Sequence, residues 1–256
     1  MPLLVRTTLL RALGLFVVLT GHLAIIVYFF PVFAEQKGAL LKIAENLGEI
    51  LARDSRLASA SEWGYVASQQ FFKFANTLGT GAAVLFAAGA IAGDTQRGTL
   101  EILLARPVSR LRVYSERWVA GALGLVLPLL ASSALVQPIA SACGVELALK
   151  TSDMLLAASY EALFLLVFYS AAFTWSVVAA RALTVVFGLL FVTIGMYALY
   201  LVPEANAWSL YQWTDVETFV ALPTEGLTAL QWLRPLIATL VFTAAGWLLF
   251  RRRLPY

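Results

Sequence analysis

The chain has 256 residues, of which 61% are hydrophobic and 13% charged, with a formal net charge of +3. Soluble globular domains carry about 25% charged residues, so this composition points to an integral membrane protein, and the length leaves no room beside it for a soluble enzyme domain of ordinary size. One cysteine, one histidine and three methionines exclude a disulfide framework and a zinc site built on several Cys and His.

About 20 apolar residues rising 1.5 Å each cross a hydrocarbon core of about 30 Å, and uncharged runs near that length predict an all-α bundle of six transmembrane helices. The first covers 12–33; it is too long for the core of a signal peptide and lacks a small-residue cleavage site, so it reads as a retained helix. Residues 34–73 form a long external loop in which Leu40, Ile43, Ala44, Leu47, Ile50 and Leu51 recur at helical spacing. That pattern predicts a helix packed on the outer ends of the bundle, or a gate or docking surface for an external accessory protein. At the entrance of the second helix, 74–93, Trp63, Tyr65, Phe71, Phe72 and Phe74 suit an interfacial aromatic belt; Gly89 and Gly93 give it a GxxxG contact motif. A loop at 94–117 leads to the third helix, 118–145, where Pro128 and Pro138 are placed to bend it.

The fourth helix is expected at 154–180, the fifth at 182–202 and the sixth at 235–250. Between the last two, residues 203–234 are acidic and rich in aromatics, which suits interfacial anchoring or a re-entrant external loop acting as a lid. Arginines concentrate on one side: Arg6, Arg11, Arg97, Arg106, Arg110, Arg112, Arg117, Arg181, Arg251, Arg252 and Arg253, against few acids. The positive-inside rule then puts both termini and the 94–117 loop in the cytoplasm, and this asymmetry accounts for the basic balance without a nucleic-acid surface.

Polar residues inside apolar helices are functional candidates. Glu161 lies about seven residues into the fourth helix, a shallow position that suits an interfacial or helix-paired carboxylate or a place on a transport path. His22, mid-way along the first helix, suits an interhelical hydrogen bond or a proton relay. Catalytic motifs are missing from the sequence. Gly79-Thr80-Gly81 runs on without a P-loop lysine, and neither HExxH nor GxSxG occurs.

The loop after the second helix is the most informative segment. Thr99 suits a helix start, Leu100, Leu103 and Leu104 fall on one face at i, i+3, i+4, Pro107 disfavours helix at Arg106, and Ser109 suits the cap of the next helix. The three leucines form either an exposed docking patch or a face packed on headgroups or under the bundle. The string Gly93-Asp94, Arg97-Gly98-Thr99-Leu100-Glu101, Leu103-Leu104, Arg106-Pro107 and Ser109-Arg110 resembles the segment between the second and third helices of ABC-2 type transporter permeases.

That resemblance implies a coupling helix seated in a groove of a separate P-loop ATPase subunit, with Asp94, Glu101, Arg106 and Arg110 as polar contacts. It also implies two ATPase copies, a second permease subunit as homodimer or related heterodimer, surrounding membrane lipid, and a bacterial or archaeal plasma membrane. The activity expected is export. ATP and magnesium would be held by the partner, with no catalytic residue, cofactor or metal in this chain. The stretch Trp213-Thr214-Asp215-Val216 and the basic tail Arg251-Arg252-Arg253 more weakly resemble permeases that accompany nitrous oxide reductase maturation, although Cys143, His22 and Met196 show no copper-ligand spacing. The competing classes are an ion-gradient-driven carrier coupled through Glu161 and His22, and an ATPase-linked complex doing mechanical or regulatory work without moving a solute.

Overall fold

The computed structural model describes residues 2–105 and 107–252, with the side chains of residues 2–5 and of Leu104 left aside. Every regular element among them is helical. The long helices are α1 (Pro2–Leu47), α7 (Arg110–Ala134), α9 (Thr151–Val178), α10 (Ala182–Tyr200) and α12 (Ala229–Arg252); the sixth span is the continuous run of α3 (Glu62–Val66), a π-helical stretch (Ala67–Ala75) and α4 (Asn76–Ala88). Shorter elements complete the chain: α2 (Glu49–Ala60), α5 (Ala92–Gln96), α6 (Thr99–Leu104), α8 (Val136–Cys143) and α11 (Val216–Ala221). All six spans are long and apolar enough to cross a membrane.

The bundle is organised around α9. Of its most apolar stretch 67% is buried, against 17% for α10 and 22% for α12, so α9 is the core helix while the other two turn apolar faces outward. It packs on α12, α4 and α7. Because lipid offers no hydrophobic drive between helices, close approach and polar contacts set the packing. Gly79 of α4 leaves the space filled by Leu165 of α9, and Gly246 of α12 lies against Thr174 and Tyr114. The Tyr169 hydroxyl donates to the Trp118 carbonyl at 2.9 Å, Thr174 Oγ1 to the Phe242 carbonyl at 2.6 Å, and the Tyr114 hydroxyl to the Thr243 carbonyl at 2.7 Å.

Several helix limits differ from the hydropathy runs, each for a local reason. At 46 residues α1 reaches about 69 Å, over twice the hydrocarbon thickness, so it carries the first part of the external loop out with it. It stops at Gly48, whose φ of 135° suits only glycine. Of the apolar face expected there, Ala44 and Ile50 are buried, while Leu40, Ile43 and Leu47 stay exposed. The second span starts at Glu62, well before Lys73, which bounds the uncharged run, and Gln70 within it is buried with its amide satisfied. Tyr65, Phe71 and Phe72 are accordingly core residues and form no interfacial belt. That span ends at Ala88, which leaves Gly89 in a turn and Gly93 in α5, so the expected GxxxG is not on one helix. In the third span the helix ends at Ala134, four residues before Pro138, whose ring would clash with the carbonyl there.

The chain after α10 turns back into the bundle. Tyr211, Thr214, Val216 and Phe219 are buried, whereas Trp208 is 80% exposed. The Asn76 and Thr214 side chains bond at 3.2 Å, the Tyr160 hydroxyl donates to the Trp213 carbonyl at 2.6 Å, and Trp63 Nε1 to the Phe219 carbonyl at 2.9 Å. Asp215 caps α11 by accepting from the Thr218 amide at 2.9 Å.

Beside that cap sits an ionic cluster. Arg53 of α2 pairs with Asp54 at 3.2 Å and Asp215 at 3.4 Å, and the Tyr200 hydroxyl donates to Asp54 Oδ2 at 2.9 Å. Burial pushes the Asp54 carboxyl above the usual aspartate range, with Tyr200 and Arg53 pulling it partly back; burial does the same to Asp215 against the Thr218 hydrogen bonds. Burial works against the Arg53 charge, but Asp54, Tyr200 and Asp215 outweigh it and hold its pKa up. A carboxyl whose folded pKa exceeds its unfolded one contributes stability that is present at low pH and lost as pH rises through the raised value. Arg53 is what makes the two buried charges tolerable at neutral pH. Arg53→Met should therefore cost about 2 kcal/mol at pH 7, less than for a sealed pair because the guanidinium is partly exposed. In thermal unfolding, that deficit should shrink as pH falls through the raised values of Asp54 and Asp215. Asp54→Asn, which keeps an acceptor for Tyr200, should cost less than Arg53→Met at pH 7. A deficit that holds constant or grows on acidification would contradict this account.

Candidate functional site

The segment joining the second and third spans is built from two short helices and a cap. After Ala88, a turn at residues 89–91 redirects the chain into α5, and Thr95 Oγ1 closes the corner by donating to the Ile91 carbonyl at 3.1 Å. Gly98, at φ 69°, makes the left-handed step between α5 and α6, a conformation that costs a side-chain-bearing residue. Thr99 opens α6 and donates from Oγ1 to the Asp94 carbonyl at 3.3 Å. Ser109 caps α7, its hydroxyl accepting from the Arg112 amide at 3.2 Å.

This segment is fastened to the bundle at three points. Arg117 of α7, 9% exposed, forms an ion pair with Asp94 and donates to the Ala90 carbonyl. Leu100 is buried in the core at 3% exposure, with Leu103 packed on the same cluster. Arg110 donates to the Arg251 carbonyl at the end of α12 at 2.9 Å. The Arg112–Glu116 pair, at 2.7 Å on the surface, is of the i,i+4 kind that contributes little.

The geometry corrects the expected roles of several residues. Leu100 and Leu103 do not form an exposed docking patch: the turn at Gly98 rolls α6 so that they face the bundle, and among the described side chains of α6 the apolar one presented outward is Ile102, 63% exposed. Asp94 and Arg110 are engaged inside the chain and are not free contacts. Arg97, Gly98, Thr99, Glu101, Pro107 and Ser109 are exposed. The expectations for the Leu104 side chain and for Arg106 fall outside the described residues.

His22 and Glu161 are held differently. His22 Nδ1 lies 2.8 Å from Gln70 Oε1, and the ring stacks on Phe74 with centroids 3.6 Å apart, which is an interhelical hydrogen bond between the first two spans. Glu161 is fully buried, and neither carboxylate oxygen has a hydrogen-bond partner among the described residues. The helix pairing by hydrogen bond that the sequence allowed is therefore not seen among the described residues. The chain after α10 folds over that end of α9: its neighbour Tyr160 bonds Trp213 and meets Phe219 and Trp232 edge-on. Among the described residues no three His, Cys, Asp or Glu side chains gather where they could hold a metal ion.

Sequence reasoning missed the Arg53, Asp54, Asp215 and Tyr200 cluster. Its one local signal is Asp215 three residues before Thr218, a helix-capping spacing; the partners are joined only by the fold.

Comparison with known proteins agrees with this architecture. The model of a family described as ABC-2 family transporter protein matches residues 4–253. No curated protein matches the chain. The family match covers nearly all of the sequence and is to the family as a whole, without reaching the narrower likeness to permeases of nitrous oxide reductase maturation. The chain belongs to the ABC-2 transporter family and is a multi-pass transmembrane permease subunit of an ABC transporter.

Proposed function

We propose that this permease is an exporter subunit driven by a separate P-loop ATPase that docks on α6 and the residues flanking it. The observation that carries the reading is an outward Ile102 beside Glu101 and Arg97, mounted on a segment that Leu100 and Arg117 hold against the core. An apolar side chain ringed by charges is a usual form for a small docking face, and rigid mounting lets a push on it reach α7 directly. In this reading both termini and residues 94–117 are cytoplasmic, as their arginines suggest. Two permeases and two ATPases make the complex in a bacterial or archaeal plasma membrane, and ATP and magnesium stay in the partner. The broad apolar faces of α10 and α12 suit lipid and a second permease subunit.

The same geometry separates docking from folding. Ile102→Asp should abolish co-purification of the ATPase from native membranes while leaving the thermal unfolding of the chain unchanged, because the side chain is exposed. Leu100→Ala should instead lower stability by about 2–4 kcal/mol through the cavity it opens. Normal ATPase recovery with Ile102→Asp would remove the docking assignment.

Asp94→Asn should leave ATPase binding in place and lower transport, since it breaks the ion pair joining α5 to α7 and strands the buried Arg117 charge. Parallel measurement of bound ATPase and of transport into inverted vesicles separates these effects. Equal loss of both would show that the pair serves folding alone.

A further inference from the structure

Three apolar stretches meet their first charged residue at one place. Arg11 stands immediately before the apolar run of α1, Arg117 immediately before Trp118 of α7, and Asp94 just past the end of the second span. With Arg97, Thr8 and Thr99 they line a cavity of about 370 Å³ at the end of the bundle that holds the 89–117 segment.

The charges in it do not cancel. Arg117 and Asp94 neutralise each other as an ion pair. Arg11 donates to the Leu85 carbonyl at 3.3 Å and lies against Gly89, and Arg97 folds back over Gly93. Neither guanidinium has a carboxylate within ion-pair distance among the described residues. The cavity thus carries two positive charges without a carboxylate partner among the described residues, beside the ends of the apolar runs of α1 and the second span.

Thr8 also lines a second hollow of about 490 Å³, which climbs the outside of the bundle between α1 and α7. Its other walls are apolar, with Leu9, Leu13, Leu123 and Leu127 each 49–67% exposed. A basic recess opening into an apolar groove has the chemistry of a phosphate carried on an acyl chain. Basic pockets between membrane helices take anionic headgroups for this reason, whereas a soluble anion would leave the groove unused.

We propose that these two hollows form a binding site for one anionic phospholipid, its phosphate between Arg11 and Arg97 and one acyl chain along the α1–α7 groove. The site borders the proposed ATPase docking face, sharing Arg97 with it and taking Ile102 into its lining, but lipid retention by the chain without the ATPase reads it separately.

The test uses the full chain purified in detergent and mixed with phosphatidylglycerol or phosphatidylcholine of identical acyl chains, with bound lipid counted by native mass spectrometry. One phosphatidylglycerol per chain should survive activation that strips phosphatidylcholine. Arg11→Gln with Arg97→Gln should reduce the lipid-bound fraction at least tenfold. Ala120→Phe, which fills the groove and leaves the arginines alone, should reduce it as well. Elution profile and unfolding temperature check that each variant is folded, and the comparison of the two lipids on the unaltered chain needs no variant. Equal retention of both lipids would overturn the proposal, as would retention unchanged in the folded variants. Complete displacement by inorganic phosphate with no effect of Ala120→Phe would overturn it in favour of a soluble anion site.

Discussion

Arg117 is the residue on which the arrangement of the 89–117 segment depends. A helix that ends at Ala88 leaves carbonyls without intrahelical donors, in surroundings where water is scarce. Arg117 supplies a donor to the Ala90 carbonyl and a countercharge to Asp94 from a position one residue before the apolar run of α7. One guanidinium therefore binds the turn that follows one span, pairs the acid of the next short helix, and ties both to the third span. The direction of α6, and with it which side chains face outward, follows from that knot and from the left-handed step at Gly98.

The opposite end of the bundle is closed by a similar device with different partners. There Arg53 collects Asp54 and Asp215 from segments far apart in sequence, and Tyr200 links the group to the end of α10. Burial holds both carboxyls above their ordinary range, so the cluster gains little net stability and chiefly fixes where the returning chain sits. Between the two ends α9 carries no basic residue, and its one buried acid, Glu161, has no partner among the described residues. A carboxylate kept there without a hydrogen bond is costly.

Hydropathy made the architecture legible because membrane spans are set by length and apolarity alone. Six spans and the family resemblance of the 93–110 string could be read from the residues, and so could the Ser109 cap, since capping is local. What could not be read depends on tertiary cover. Lys73 bounds the uncharged run at residue 74, and Gln70 before it nevertheless lies in the core, because Leu19 and His22 offer it partners; the second span starts at Glu62 instead. The burial of Glu161 was hidden because the return of residues 206–221 over that end of α9 leaves no mark in α9 itself. The rotation of α6 was equally hidden: a three-leucine face reads the same whether it turns toward a partner or toward its own bundle, and only the placement of Gly98 and Arg117 decides.

In the fold α6 turns Leu100 inward and, in the proposed function, offers Ile102 to the ATPase. Single-cysteine crosslinking on a Cys143→Ser background tests this most directly, with the complex kept in its native membrane and a short thiol-to-lysine reagent used as the reporter. The account predicts a crosslink to the ATPase subunit from Ile102→Cys, protected when that subunit is removed, and none from Leu100→Cys. A crosslink from Leu100→Cys with none from Ile102→Cys would contradict it.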